Sequence, residues 1–93
     1  MLRAKKGFLL RRLGTDYTVV AIGEASKCFN GMIRINGTGA FYWKELEQGT
    51  TEEALVDKTL ERFPGVNRET VRQDVHEFLQ TISAAIEYDP AND

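Results

Sequence analysis

The most reactive side chains in this sequence belong to one cysteine, Cys28, and one histidine, His76. A thiol held beside an imidazole can act as an activated nucleophile. However, a single cysteine in a loop and a single histidine on the polar side of a helix are commonly incidental. We therefore expect no thiol–imidazole catalysis, and the sequence predicts a protein that is not an enzyme.

Phosphate, metal and cofactor chemistry is equally unsupported. Gly37-Thr38-Gly39 lacks the lysine and the third glycine of a phosphate-binding loop, so its glycines are better interpreted as allowing a tight entry into a helix. One cysteine cannot form an intrachain disulfide or a multi-cysteine metal site. Four acidic residues follow helical spacing on a polar face and are expected to be solvated: Glu52, Glu53, Asp57 and Glu61. No cofactor and no metal is expected.

Length and composition indicate one folded domain over residues 1–93. The chain is 42% hydrophobic and 28% charged, which is typical of a globular domain of this size. No apolar run approaches the roughly 18 residues that a membrane span requires. The apolar run after the basic N-terminus is too short for a signal peptide. We expect a cytoplasmic protein without a membrane partner.

Charge is divided unevenly along the chain. Residues 1–44 carry eight basic and two acidic side chains, a net charge of +6, whereas residues 45–93 carry four basic and twelve acidic side chains, a net charge of −8. Three interpretations stay open: two solvated faces of opposite sign, two halves that attract each other, or a partner with a charge preference.

The pattern before Asn36 indicates strands. Three segments are predicted: residues 7–13, residues 17–22 and residues 32–35. The last of these alternates, with Ile33 and Ile35 on one face. A three-residue hairpin loop, Gly14-Thr15-Asp16, is predicted between the first two strands. Residues 23–31 form a polar loop, although residues 27–29 could instead pair with residues 32–34 across an Asn30-Gly31 turn.

After Asn36 the apolar spacing becomes helical. The first predicted helix begins at Asn36 and ends at Gly49. The second begins with a Thr50–Glu53 capping box and ends at Pro64-Gly65. The third is capped by Asn67 and continues for about 19 residues to Ile86. Their predicted inward positions are Ala40, Phe41, Trp43 (or Tyr42) and Leu46; Leu55, Val56, Thr59, Leu60 and Phe63; and Val71, Val75, Phe78, Leu79, Ile82 and Ile86. Trp43 is the expected core anchor. The fold class is α+β, a three-stranded antiparallel sheet followed by three helices, which resembles a winged-helix layout with the sheet placed first.

The winged-helix layout makes DNA binding the alternative function. Groove recognition needs lysines and arginines clustered on a recognition helix. The third predicted helix is nearly balanced, with Arg68 and Arg72 against Glu69, Asp74 and Glu77. We therefore expect no nucleic-acid partner.

The segment Met32–Ile35 has the features of an open strand edge. It contains no proline and one charge, whereas soluble proteins usually block such edges. An open edge beside an apolar helix can accept an extended peptide as an additional strand. Coverage by a neighbouring segment, or self-pairing in a dimer, would explain the same pattern.

Several segments together resemble the PqqD-like family. They are residues 7–11, residues 30–43 with their Asn-Gly turn and aromatic-rich helix, the Leu-x-x-Gly at residues 46–49, and residues 50–53 and 74–79. The resemblance covers residues 7–86. It departs from the family at the end, where Gly-Leu-Leu is common and this chain has Ala84-Ala85-Ile86; the departure concerns the last turn of the third helix.

The resemblance implies a stand-alone peptide chaperone. Members bind the leader segment of a ribosomally made precursor peptide and present it to a modifying enzyme, often a radical SAM enzyme. The leader is expected to add as a strand beside residues 32–35, in a groove shared with the third helix. Carried onto this sequence, the peptide-binding residues are Met32, Ile33, Arg34, Ile35, Val71, Arg72, Val75 and Phe78.

Overall fold

The computed structural model describes residues 1–29 and 31–88, without the side chain of Cys28. Over these residues the elements are β1 (Leu2–Ala4), β2 (Phe8–Leu13), β3 (Asp16–Ala21), α1 (Ala25–Cys28), β4 (Met32–Ile35), α2 (Gly37–Gln48), α3 (Glu52–Arg62), α4 (Arg68–Thr81) and β5 (Ile86–Tyr88). The predicted α+β class is confirmed: a three-stranded antiparallel sheet precedes three long helices.

The main sheet has the strand order β2-β3-β4, and both pairs are antiparallel. The β2–β3 hairpin is tighter than predicted, because Leu13 pairs with Asp16 and only Gly14 and Thr15 remain in the loop. Gly14 has φ 64°, the positive value that the first position of a two-residue type II′ turn requires. Asp16 therefore begins β3 and is not part of the loop.

Residues 23–29 contain a short helix where a loop was predicted. Lys27 lies in α1, and Phe29 follows it with its ring 5.8 Å from that of Phe8. The alternative pairing of residues 27–29 with β4 is therefore absent, and Asn30 of the proposed turn lies outside the described residues.

Helix α2 begins and ends where the sequence predicts. The Asn36 side chain accepts a hydrogen bond from the Gly39 N–H at 2.8 Å, and Gly49 ends the helix with φ 91°. A Cβ at residue 49 would lie 2.6 Å from the Met1 sulfur, so both the backbone angle and the N-terminus favour glycine there. The sequence left open whether Trp43 or Tyr42 faces inward, and in the structure both side chains are buried.

Helix α3 is capped one residue later than predicted. Thr51, not Thr50, accepts the hydrogen bond from the Ala54 N–H, at 3.1 Å. Thr50 is held by β1, because its N–H and C=O both bond to Leu2 at 2.8 and 2.6 Å. The helix ends at Arg62, and the predicted inward residue Phe63 is 40% exposed.

Helix α4 is five residues shorter than predicted. Asn67 caps it by accepting from the N–H groups of residues 69 and 70, but the helix ends at Thr81. A single 3₁₀ turn, Ser83–Ala85, follows, and the chain then becomes extended so that Ile86 pairs with Ala4. The short β1–β5 ladder was not predicted. Because residues 86–88 pair with β1 as an extended strand, they cannot continue α4.

The core consists of two clusters that share α2. One joins the sheet to α2 and the C-terminal turn: Phe8, Val19, Trp43, Leu46, Ile82 and Ala85. The other joins the three helices: Tyr42, Leu55, Val56, Val71 and Val75. Trp43 has no exposed surface, which confirms it as a core anchor. Phe78 and Leu79 pack against both clusters.

Candidate functional site

Strand β4 forms one edge of the main sheet. It pairs with β3 on one side, and within residues 1–29 and 31–88 no strand pairs with its other side. In an antiparallel ladder, alternate residues direct both backbone groups away from the partner strand. Alternate residues of β4 therefore present N–H and C=O groups to an open edge.

A groove of about 230 Å³ lies beside this edge. It is bounded by the end of β4, the beginning of α2 and the second half of α4. Its lining residues are Arg34, Ile35, Asn36, Gly39, Tyr42, Asp74, Glu77, Phe78 and Thr81. A strand edge and a mainly polar helix face, on which Phe78 is the apolar side chain, thus form opposite walls of one depression.

Gly39 allows the three walls of the groove to approach closely. A Cβ at this position would lie 2.9 Å from Cε1 of Phe78 and 3.0 Å from Cβ of Ile35. Both distances are shorter than ordinary contacts between carbon atoms. The absence of a side chain at residue 39 therefore sets the spacing between β4 and α4.

Tyr42 is the fixed floor of the groove. Its ring packs edge-to-face on Phe78 with centroids 5.1 Å apart, and its hydroxyl donates a 2.8 Å hydrogen bond to Asp74. Burial and this hydrogen bond raise the pKa of the Tyr42 phenol above its usual value. The phenol therefore remains a neutral donor that positions the Asp74 carboxylate at the wall of the groove.

The two walls of the groove differ in charge. Arg34 stands on the β4 wall, and Asp74 and Glu77 stand on the α4 wall. Glu77 accepts a 3.3 Å hydrogen bond from the side chain of Gln73. A peptide in the groove would meet a cation on the strand side and two carboxylates on the helix side.

A second cavity of about 300 Å³ adjoins the groove and shares Tyr42 and Asp74 with it. It lies between α2, the end of α3 and the first half of α4. Its other lining residues are Thr38, Thr59, Phe63, Val66, Thr70 and Val71. Phe63 and Val66 are 40% and 44% exposed, so this cavity presents apolar surface to solvent.

The structure brings some of the predicted site residues together and separates others. Met32–Ile35 form the open edge, and Phe78 faces it across the groove. Val71 is buried and reaches only the second cavity, and Val75 has no exposed surface. Arg72 lies on the far side of α4, where it bonds to Glu53 at 3.2 Å.

Sequence reasoning missed most of the polar lining. On α4, Asp74 lies four residues before Phe78 and Thr81 three residues after it, on the same face of the helix, and Glu77 is adjacent to Phe78 in sequence. The prediction followed the apolar stripe of Val71 and Val75, which faces the core. Counting from Phe78 at spacings of three and four would have found Asp74 and Thr81, together with the buried Val75 and Ile82, but not Glu77.

His76 lies outside the groove. Its Nδ1 is 3.1 Å from Oε1 of Glu52 on the exposed face shared by α3 and α4. The side chain of its suggested partner, Cys28, lies outside the described atoms. Among described residues, no group of three histidine, cysteine or acidic side chains could hold a metal ion. In the same part of the chain, no helix is long and apolar enough to cross a membrane.

Comparison with known proteins relates this arrangement to one family. No curated protein matches the chain. The solved structure of TbiB1 in complex with the TbiA(beta) leader peptide is similar in fold, with a TM-score of 0.68, 18% sequence identity and 87% of each chain covered. The family model described as coenzyme PQQ synthesis protein D (PqqD) matches residues 8–85. The chain therefore belongs to the PqqD family.

Proposed function

We propose that this protein is a peptide chaperone that binds the leader segment of a ribosomally made precursor peptide and presents it to a modifying enzyme. The observation that carries the proposal is the open edge of β4 facing the α4 wall, on which Phe78 is the apolar side chain. Membership of the PqqD family and the similarity in fold to TbiB1, which was solved with a leader peptide, both support it.

The backbone of β4 supplies part of the binding free energy. A peptide that adds to this edge forms up to about four hydrogen bonds, each contributing about 0.5–1.5 kcal/mol net. Four residues of extended chain cover only about 13 Å. Because this contribution is small, side chains of the peptide must supply the remainder.

The groove fits a peptide whose alternate residues are apolar. Inward side chains of an added strand continue the row of Ile33 and Ile35 and meet Phe78. Each fully buried apolar side chain contributes about 1.5–3 kcal/mol. The second cavity offers room for one further bulky apolar side chain beyond the end of β4.

The modifying enzyme is expected to be a radical SAM enzyme, and the chaperone itself is expected to have no catalytic activity. The groove contains carboxylates, a neutral phenol and an arginine, with no nucleophile–base pair among the side chains that line it. The arrangement therefore suits recognition of a peptide backbone and not bond cleavage.

The arrangement of α4 disfavours the DNA-binding alternative. Arg68 bonds to Asp57 at 2.8 Å, and Arg72 bonds to Glu53 at 3.2 Å. Both arginines of the would-be recognition helix are thus neutralised by α3. Groove recognition in DNA depends on free cationic side chains at this position.

A pair of bulky substitutions on α4 tests the groove. Thr81 lines the groove, whereas its exposed neighbour Gln80 does not. The ligand is a leader peptide from a short precursor-like reading frame, to be sought beside this gene together with a reading frame for the modifying enzyme. In fluorescence anisotropy titrations with the labelled leader, Thr81→Trp should weaken binding about tenfold or more, whereas Gln80→Trp should not. Equal affinity of both folded variants for the leader would contradict the proposal.

A further inference from the structure

The outer face of the main sheet carries an ordered pattern of side chains, of which only Arg34 also lines the peptide groove. Side chains of Phe8, Val19 and Ile33 point to the core, so their neighbours point outward. The register places two rows across the three strands of this outer face: Leu9–Val20–Met32 and Arg11–Thr18–Arg34. One row is apolar, and the next is basic.

The apolar row is open to solvent. Leu9 is 39% exposed and Met32 is 61% exposed, and Leu13 on the same face of β2 is 63% exposed. Outward apolar residues at successive positions across a sheet form a continuous patch. Such a patch on a soluble domain commonly marks an interaction surface.

The basic row has unsatisfied polar groups. Arg11 and Arg34 form no ion pair with any described residue. Between them, Thr18 is only 3% exposed, and its hydroxyl has no hydrogen-bond partner in the described part of the chain. A buried hydroxyl without a partner is unfavourable. Two guanidinium groups around it favour an incoming carboxylate.

We propose that this outer face docks a folded protein partner, the enzyme that modifies the bound peptide. The matching surface of that enzyme would carry apolar side chains with carboxylates beside them. This inference rests on the proposed function, because the enzyme acts on the peptide held at β4. Carboxylates of the partner pair with Arg11 and Arg34, and its apolar side chains cover Leu9 and Met32.

The composition of the face favours a protein over nucleic acid or a second copy. Half of the face is apolar, and neither row contains an aromatic side chain on which a base could stack. A second copy would bring the same two arginines to the interface. The three strands of this face contain one carboxylate, that of Asp16, so the arginines of the two copies would repel each other. An acidic partner avoids that repulsion.

A bound peptide would enlarge this surface. The three strands span about 20 Å by 15 Å, well below the roughly 800 Å² that each partner buries in a stable complex. A peptide added to β4 as a fourth strand continues both rows beyond Met32 and Arg34. The enzyme should therefore bind the loaded chaperone more tightly than the empty one.

Arg11→Glu separates this surface from the groove. Arg11 lies on β2, about 10 Å across the sheet from β4. Its control is Lys44→Glu, the same change in charge at an exposed position of α2. The measurements are titrations of each folded variant with the leader peptide and then with the modifying enzyme, the latter with and without saturating peptide.

We expect Arg11→Glu to weaken enzyme binding about tenfold or more while leaving peptide binding unchanged. Lys44→Glu should leave both unchanged, and the wild-type chaperone should bind the enzyme more tightly when peptide is present. Unchanged enzyme binding by Arg11→Glu would overturn the inference and leave the groove intact. The inference would also be overturned if the wild-type protein formed a dimer, or bound a 20-base-pair DNA duplex, and Arg11→Glu but not Lys44→Glu lost that association. The face would then bind a second copy or nucleic acid. Failure of wild type to bind the peptide would instead overturn the proposed function.

Discussion

Tyr42 shows how a single side chain can serve both the core and the site. Its ring belongs to the helical cluster and packs on Phe78, while its hydroxyl holds Asp74 at the groove. Sequence spacing predicts a buried aromatic at residue 42 or 43. The hydrogen bond to Asp74 joins residues 32 positions apart, and no local pattern predicts it.

The raised pKa of Tyr42 predicts a loss of stability in alkaline solution. The unfolded phenol ionises near pH 10, whereas the folded phenol keeps its proton to higher pH. Above about pH 10 the unfolded state therefore binds fewer protons, and the free energy of unfolding falls by up to about 1.4 kcal/mol per pH unit.

Urea unfolding between pH 8 and pH 11 measures this effect. Tyr42→Phe lacks the ionisable group and should show a flatter profile above pH 10, although its stability at pH 8 should be lower because Asp74 loses a hydrogen bond. If the free energy of unfolding falls with the same slope above pH 10 in wild type and in Tyr42→Phe, ionisation of Tyr42 does not cause the alkaline loss of stability.

Cys28 and His76 are expected to be dispensable for function. His76 bonds to Glu52 outside the groove, and nothing in the groove requires a thiol. A Cys28→Ala, His76→Ala double variant should support modification of the precursor by the partner enzyme at the wild-type rate. Loss of product with a variant that remains folded would show that one of the two side chains takes part.

At the scale of elements, long periodic segments were predictable and short ones were not. The three main strands and the beginnings of α2 and α4 follow from alternation and from the caps Asn36 and Asn67. Strands β1 and β5 have three residues each, too few for a pattern. The contacts of β1 also explain two of the errors in boundaries: Leu2 holds Thr50 outside α3, and Ala4 pairs with Ile86 beyond the end of α4.

The beginning of α2 provides a matched test of the groove spacing. A Cβ at Gly37 meets nothing within 4 Å, whereas a Cβ at Gly39 meets Ile35 and Phe78 at 3.0 Å or less. Gly37→Ala should be neutral or stabilise the fold by up to about 1 kcal/mol, because alanine favours a helix. Gly39→Ala should lower both stability and affinity for the peptide, since β4 and α4 must separate.

Thermal unfolding and peptide titration of the two variants are the measurements. Equal effects of the two substitutions would mean that the close approach at Gly39 does not shape the groove.

At the scale of the whole molecule, the ion pairs between described side chains do not join the basic half to the acidic half. Ion pairs between described side chains lie within each half; examples are Lys27–Glu24, Lys58–Glu45 and Arg68–Asp57. Several acidic side chains of the helices pair with basic side chains of the helices themselves, whereas Arg11 and Arg34 of the sheet pair with no described residue. Of the three interpretations that the sequence left open, attraction between the halves has no support among these pairs.

Stability should accordingly depend little on salt. Exposed ion pairs contribute about 0–1 kcal/mol each, and screening removes repulsion as well as attraction. Between 0.05 and 0.5 M NaCl, calorimetry should show a change in Tm of only about 2–3 °C. A fall of 10 °C or more would show that attraction between the halves stabilises the fold.

The most direct test of the central claim is an isotope-edited NMR measurement on the complex with the leader peptide. The account predicts intermolecular backbone NOEs between the peptide and residues 32–35, slowed amide exchange along β4, and side-chain NOEs from alternate peptide residues to Phe78. Peptide contacts confined to the α3–α4 face around Arg72 and His76, with β4 amides unchanged, would contradict it.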